Sequence, residues 1–252
     1  GEIETLRPGA ITTKDESGFD LSSRQVRARR VTRLGAIVFD EQPLPKPKGE
    51  EAARALAEGV QQLGLAVLPF SKAAAQLRQR LGFLHRTLGE PWPDTSDHGL
   101  LEQLDLWFIP FQSGVTSFQE VTAGSLHDGL MALVPAGATR DLDRLVPTHF
   151  NAPTGQSHPI HYDGDEPVLQ IRVQELFGLK THPTIGGGKL PLVLELTSPA
   201  HRPIQTTRDL PGFWAGSWKD VRADMRGRYP KHPWPEDPAA AAPTTRAKPR
   251  GT

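Results

Sequence analysis

The chain has 252 residues, with 29 lysines and arginines against 29 aspartates and glutamates, so it lacks the strong positive charge of a dedicated nucleic-acid-binding protein. It has no cysteine, which excludes disulfides and thiolate metal sites and favours a cytoplasmic protein. No apolar run approaches the roughly 18 residues of a membrane span, and the 24 glycines and 24 prolines predict short elements joined by many turns.

The first 45 residues predict β structure. Apolar and polar residues alternate between residues 25 and 39, and an interruption predicts a bulge or turn near Arg30. Because two or three strands do not make a self-sufficient sheet, we expect this segment to be the end of a larger domain. The apolar side of the pattern consists of Val26, Ala28, Leu34, Ala36 and Val38.

Residues 46–146 predict a small helical domain, which follows a stiff proline-rich linker. Ser71 is a good N-cap and Gly89 a good C-terminal stop, so a helix is expected between them, and Ser96 is a second N-cap. The remaining helical patterns cover residues 53–63, 97–109, 126–133 and 140–146.

Residues 147–238 predict a β-rich domain closed by one amphipathic helix, which makes the whole chain an α+β protein. The helix covers residues 213–226 and has Gly227 as its stop. Residues 239–252 are low in complexity and are expected to be a disordered tail. The expected strands cover residues 158–162, 167–173, 190–197 and 203–207.

The last predicted helix carries the first candidate for nucleic-acid contact. Lys219, Arg222 and Arg226 form a cationic stripe beside an apolar one at helical spacing. Cations and aromatic rings continue after the helix, a pattern that suits phosphate contacts and base stacking. A solvated face on a packed helix is the alternative interpretation. The candidates in the following segment are Arg228, Tyr229, Lys231, His232 and Trp234.

A second cationic candidate lies in the opening β segment. Arg27, Arg29 and Arg33 fall on one side of the alternating pattern. They suit a groove that follows a phosphate backbone. The wet face of an ordinary antiparallel strand gives the same pattern.

Other kinds of chemistry have weaker signals. His161, Asp163 and distant His201 imitate the two-histidine, one-carboxylate iron site, but the motif is short, so turn and strand-edge roles are favoured. The glycine run at residues 186–188 leads into a strand rather than a helix, which favours a hairpin turn over a phosphate cradle. The P-loop pattern is absent from the sequence.

Four segments resemble a known family. They are PTHF at residues 147–150, PTG at 153–155, QELFGL at 174–179 and RGRYPKHPWPEDP at 226–238. Together they are similar to the C-terminal region of the HrpB family of bacterial ATP-dependent DEAH/DExH-box helicases. Shorter matches reach back to residues 33–36.

The resemblance implies that residues 1–45 end a small OB-like domain and that the rest is an extension particular to the family. The parent protein would hydrolyse ATP, with Mg²⁺, and remodel RNA. Its catalytic motifs would lie upstream, so this region would bind no cofactor and contribute no catalytic residue. Its partners would be the motor domains of the parent and single-stranded RNA or DNA.

Three functional hypotheses follow from the sequence. The first is an accessory helicase region that contacts nucleic acid and is inert as an ATPase alone. The second is a bracing or protein-interaction module with no nucleic-acid affinity, which the neutral net charge favours. The third, much weaker, is an iron-dependent oxygenase.

Overall fold

The structure is a computed structural model that describes residues 11–247. The chain separates into two compact units, residues 1–135 and 136–252. Helices and strands are mixed, as expected for an α+β protein. The finer division into domains at residues 46 and 147 stays a prediction, as does the OB-like character of the first segment. The parts of the expectations that concern residues 1–10 and 248–252 lie outside the described residues.

The N-terminal unit opens with a three-stranded antiparallel sheet in the order β1-β2-β3. The predicted bulge lies slightly further along than expected, because the register between β2 and β3 shifts between Thr32 and Arg33. The strands are β1 (Ile11–Asp20), β2 (Gln25–Leu34) and β3 (Ile37–Leu44).

The alternation between residues 25 and 39 predicts Ala36 and Val38 on the apolar side, and this is wrong beyond Leu34. A turn at Gly35, where φ is +59°, reverses the chain. Ala36 and Val38 are therefore exposed instead of facing inward, while Val26 is buried as expected.

Helices complete this unit. Both predicted caps are confirmed, since Ser71 Oγ accepts a hydrogen bond from the Ala74 amide at 3.1 Å and Gly89 is the C-cap of the same helix. The helix expected over residues 97–109 is instead broken at Gln103, which leaves helical geometry. The helices are α1 (Gly49–Leu63), α2 (Lys72–Leu88), α3 (Asp97–Glu102), α4 (Leu104–Trp107) and α5 (Ala123–Ala132).

Helix α1 packs against β1 through a close approach. A Cβ atom at Gly59 would lie 2.6 Å from the ring of Phe19, which is closer than real contacts allow. Glycine is therefore required at this position for the helix to reach the sheet. The core beneath includes Leu56, Val60, Leu81, Leu84, Leu100, Trp107, Leu126 and Leu130.

The C-terminal unit is built around a three-stranded sheet in the order β10-β9-β6, in which β9 is antiparallel to β10 and parallel to β6. Two short hairpins, β4–β5 and β7–β8, accompany it, and residues 186–188 form the predicted turn of the second. The elements are α6 (Thr139–Leu145), β4 (His149–Asn151), β5 (Ser157–Pro159), β6 (Val168–Arg172), β7 (Thr184–Ile185), β8 (Leu190–Pro191), β9 (Val193–Thr197), β10 (Pro203–Thr207), α7 (Leu210–Ala215) and α8 (Trp218–Arg228).

The final helix differs from the prediction at both ends. It is divided into α7 and α8, because the backbone at Gly216 leaves helical geometry (φ −107°, ψ −94°). Gly227 does not stop α8, which continues to Arg228 and ends where the backbone of Tyr229 leaves helical geometry (φ −129°, ψ 59°). Aromatic rings join both helices to the core: Phe177, Phe213, Trp214, Trp218 and Trp234 stack edge-on or tilted, with centroids 5.2–6.3 Å apart.

The start of the expected disordered tail is ordered against this unit. The Gly178 amide donates to the Pro238 carbonyl at 2.9 Å, and the Thr244 amide donates to the Gln174 carbonyl at 3.1 Å. Backbone hydrogen bonds thus hold a segment whose composition alone indicates disorder. None of the helices within residues 11–247 is both long enough and apolar enough to cross a membrane.

Candidate nucleic-acid interface

Helix α8 is seated by its apolar side. Trp218 and Met225 are buried, 2% and 3% exposed, and the Trp218 indole donates to the Pro235 carbonyl at 3.0 Å. Lys219 and Arg226 are exposed on the outer side. They are seven residues apart, so they project in nearly the same direction, about 10 Å apart along the axis.

Arg222, the middle residue of the predicted cationic stripe, has a structural role. Arg222 Nε donates to the Trp234 carbonyl at 2.8 Å, and its Nη2 lies 3.4 Å from Glu236 Oε1. Its side chain is only 23% exposed. Arg222 therefore fastens the proline-rich segment to α8, and its charge is partly neutralised.

Three of the candidate cations stand without a carboxylate partner among residues 11–247. Lys219, Arg226 and Lys231 are exposed and form no ion pair in that range. Arg228, in contrast, pairs with Asp224 one turn earlier, with Nε 3.1 Å from Oδ1. Fewer cations are therefore unpaired than the sequence predicts. We call Lys219, Arg226 and Lys231 the α8 cation patch.

The aromatic candidates are mostly committed to packing. Trp234 is 6% exposed and its indole donates to the Tyr229 carbonyl at 2.9 Å, so it offers no free face for stacking a base. This corrects the expectation of an exposed ring; a neighbouring cluster of aromatic core residues covers it. Tyr229 is half-buried, and its hydroxyl accepts a hydrogen bond from Ser198 Oγ at 3.1 Å.

His232 does not add a charge to the patch. Burial lowers the pKa of its imidazole below the usual value, the nearby Arg172 charge lowers it further, and a hydrogen bond to the Arg246 backbone opposes both. The ring is therefore neutral at pH 7. Its Nδ1 lies 3.2 Å from Gln174 Nε2.

The arginines of β2 present a different environment. Arg27 pairs with Asp20 (Nε to Oδ2, 3.4 Å), and Arg29 pairs with Glu41 (Nη1 to Oε1, 2.8 Å). Arg33 forms a two-pronged pair with Glu16, and its guanidinium holds the pKa of that carboxyl below the usual value. Each candidate on this sheet thus carries its own counter-charge.

A groove of about 390 Å³ beside these pairs contains both signs of charge. Hydrogen bonds from the Ser22 hydroxyl and the Ser23 amide lower the pKa of Asp20 to about 2, so its carboxylate is ionised at neutral pH. A phosphate backbone in the groove would meet its carboxylates as well as its arginines.

The iron-site hypothesis finds no supporting geometry. His161, Asp163 and His201 are all exposed, and within residues 11–247 no three histidine, aspartate or glutamate side chains converge as metal ligands do. His201 lies in a turn, with φ at +59° and its amide donating to the Ser198 carbonyl.

One polar cluster was missed by sequence reasoning. Glu175 is completely buried, and its two oxygens lie 2.8 Å from Arg172 Nε and 2.8 Å from His158 Nε2. Nothing in the local pattern around Glu175 indicates a buried charge, because its partner His158 is 17 residues away in the sequence. The carboxylate of Glu175 joins the end of β6 to β5.

The comparisons with known proteins agree on one family. The family model described as ATP-dependent helicase C-terminal matches residues 107–238. Over 249 residues the chain is 41% identical to the ATP-dependent RNA helicase HrpB of Escherichia coli (strain K12), which covers 98% of this chain and 31% of that protein. The chain thus spans about a third of the length of this relative.

Solved structures give the same result. The chain is similar to the crystal structure of the E. coli DExH-box NTPase HrpB, with a TM-score of 0.78 and 39% identity over 96% of this chain and 30% of that one. A second crystal structure, of the E. coli DEAH/RHA helicase HrpB, aligns with a TM-score of 0.68 and 38% identity over 90% of this chain and 29% of that one.

Proposed function

We propose a function that starts from the family: the chain belongs to the HrpB family of ATP-dependent helicases and corresponds to its C-terminal region. In this proposal it is an accessory region that holds single-stranded RNA for a helicase motor. In this proposal the rest of the parent protein binds ATP and Mg²⁺ and supplies the hydrolysis. This region contributes no catalytic group. Its contact with RNA is through the α8 cation patch.

The observation that carries the proposal is the lack of counter-charges on a firmly seated helix. Lys219 and Arg226 have no carboxylate partner within residues 11–247, whereas each candidate arginine on β2 has one. A buried tryptophan holds the helix in place, so little ordering is needed when a strand binds. The spacing of about 10 Å allows the two cations to neutralise separate phosphates.

The binding would be modest and independent of sequence at this patch, because phosphate contacts position a strand without reading its bases. Three neutralised phosphates predict a slope of about −2 in log affinity against log salt concentration, at about −0.7 per phosphate of a single strand. The neutral total charge of the chain adds no long-range attraction to this.

The test is the fluorescence anisotropy of a labelled single-stranded oligouridine at several salt concentrations. Lys219→Glu with Arg226→Glu should abolish measurable binding, since it replaces two attractive charges with two repulsive ones. Arg222 is left intact because its reversal would release the Trp234 segment. Tight binding by the double variant would show that α8 is not the contact.

A matched control is available in the same unit. Arg140 and Lys189 are exposed and have no ion-pair partner within residues 11–247. Arg140→Glu with Lys189→Glu changes the net charge by the same amount away from α8. It should weaken binding only slightly, through the long-range field.

A second candidate function is bracing of the motor domains, and a separate observation favours it. Ile37, Val38 and Phe39 of β3 are 65%, 45% and 40% exposed, a run of apolar side chains that a protein partner would cover. Ile37→Ser with Phe39→Ser should then weaken the association with the motor domains supplied as a separate chain. Unchanged association would remove this candidate.

A further inference from the structure

A groove of about 350 Å³ lies on the three-stranded sheet of the C-terminal unit. Residues of all three strands, β6, β9 and β10, line it. The volume is sufficient for one planar heterocycle. The lining residues are Gln170, Glu195, Leu196, Thr197, Pro203, Ile204, Gln205 and Thr206.

Three polar side chains stand in one row across this groove. Gln170 is paired in register with Glu195, and Glu195 with Thr206. Neighbours in register project from the same face of a sheet, at strand separations of about 4.8 Å. All three are exposed. The row therefore lines the groove with three polar groups on one face of the sheet.

These groups are available to a ligand. Across the part of the chain that the structure describes, Gln170, Glu195 and Thr206 form no side-chain hydrogen bond or ion pair. The adjacent Thr197 is 1% exposed, and its Oγ1 has no hydrogen-bond partner among those residues. A buried hydroxyl of this kind is uncommon, because nearly all buried polar groups are paired.

The order of donors and acceptors selects one kind of ligand. Glu195 offers two carboxylate acceptors, and the neighbouring Gln170 amide offers a donor. The Watson–Crick edge of guanine presents two adjacent donors, N1–H and the N2 amino group, followed by the O6 acceptor. Adenine and cytosine present one amino group beside an acceptor ring nitrogen, which would face the carboxylate with like polarity. Uracil has a single ring donor.

The groove also supplies an apolar contact. Pro203 and Ile204 line it with carbon atoms against which a base can pack.

We propose that this groove binds a guanine base of single-stranded RNA, with Glu195 accepting from N1–H and N2 and Gln170 donating to O6. The proposal rests on the function proposed above for the RNA itself, and adds base selection to a patch that alone reads only phosphates. Recognition of unpaired bases through their Watson–Crick edges is common in single-stranded RNA binding.

The first experiment uses nucleosides, which have no phosphate and therefore do not depend on the cation patch. Guanosine and inosine are titrated into the full chain, and the backbone amide shifts of Glu195 and Thr206 are followed by NMR. Inosine lacks only the N2 amino group, so it should bind about tenfold more weakly, the effect of half a bidentate contact. Equal affinity for both nucleosides would overturn the proposal.

Glu195→Gln then tests the carboxylate, because it replaces one acceptor with a donor that opposes N2. We expect guanosine affinity to fall about tenfold or more and the guanosine-to-inosine ratio to approach about one. Asp165→Asn is the matched control: it neutralises an exposed carboxylate of the same unit outside the groove and should leave the ratio unchanged. Retained selectivity in Glu195→Gln would contradict the assignment.

The second experiment separates this inference from the function it rests on. A uridine decamer with one central guanosine is compared with the same strand carrying inosine. Lys219→Glu with Arg226→Glu should weaken both strands alike, whereas Glu195→Gln should remove only the difference between them. If the decamers do not bind but guanosine does, the RNA function fails and the base site stands.

Discussion

The cations of α8 and those of β2 differ in whether a carboxylate neutralises them, and this difference decides how well each group could contact a phosphate backbone. Both segments place arginines on one side of a regular element. On β2 the antiparallel neighbours bring Asp20, Glu16 and Glu41 within reach of each candidate arginine. A helix has no such neighbouring strand, so a cation on its outer side is paired only if a carboxylate stands three or four residues away. For Lys219 and Arg226 none forms a pair within residues 11–247.

The largest expected effect comes from removing the seat of α8. Trp218 is 2% exposed and contacts the rings of Phe177, Phe213, Trp214 and Trp234. Trp218→Ala should lower the free energy of unfolding by about 3–5 kcal/mol, through lost burial and the cavity left behind. Urea denaturation measures this loss. RNA binding should fall with it, because the α8 cation patch would lose its fixed position.

An exposed apolar residue provides the contrast for that variant. Leu106 is 56% exposed, so Leu106→Ala should change the free energy of unfolding by less than about 0.5 kcal/mol. If Trp218→Ala were as mild as Leu106→Ala, the aromatic cluster would not be what holds the helix.

The next largest effect is expected from leaving the arginines of β2 without counter-charges, as Lys219 and Arg226 of α8 are. Glu16→Gln, Asp20→Asn and Glu41→Gln together remove the counter-charges from the three candidate arginines of β2. Placed in the Lys219→Glu, Arg226→Glu background, which should show no measurable binding, they should produce measurable binding of single-stranded RNA at low salt. Stability should change little, since ion pairs at the protein surface add little to it. If the anisotropy shows no increase in RNA binding, ion pairing is not what keeps these arginines from contacting RNA.

The converse change gives α8 the counter-charge that it lacks. Ala223 is exposed, four residues after Lys219 and three before Arg226. Ala223→Glu should pair with both and weaken RNA binding about threefold, because each such pair is worth about 0.2–0.5 kcal/mol. Ala223→Gln has nearly the same shape without the charge. An equal loss of affinity in the glutamine variant would point to shape rather than charge.

The same contrast explains which features could be predicted from the sequence. The caps at Ser71 and Gly89 and the strand over residues 203–207 depend on local chemistry, and the structure has them at the expected positions. The exposure of Arg27 and Arg29 could also be predicted from the alternation. Their partners could not, because Arg29 and Glu41 are twelve residues apart and meet only through the register of two strands.

Tertiary packing explains the remaining differences. The spacing of Trp214 and Trp218 suits one helix, but Gly216 breaks it between them, and each tryptophan still reaches the core from its own helix. Trp234 lies in a proline-rich stretch that carries no helical or strand pattern, so nothing local indicated its burial. The same holds for the row across β6, β9 and β10, whose members are far apart in the sequence and meet only in the sheet.

The smallest effect concerns whether His232 belongs to the charged surface. Its pKa is lowered in the folded protein, so the folded state binds fewer protons than the unfolded state just below the ordinary histidine value of about 6.5. The resulting contribution to the free energy of unfolding is fully present above the unfolded-state pKa of about 6.5. It is lost as the pH falls through the lower pKa of the folded state. His232→Gln should therefore flatten the decline of unfolding free energy between about pH 6.5 and pH 5, as measured by urea denaturation. A steeper decline in His232→Gln would mean that the imidazole is charged in the folded state, and His232 would then join the α8 cation patch as a fourth cation.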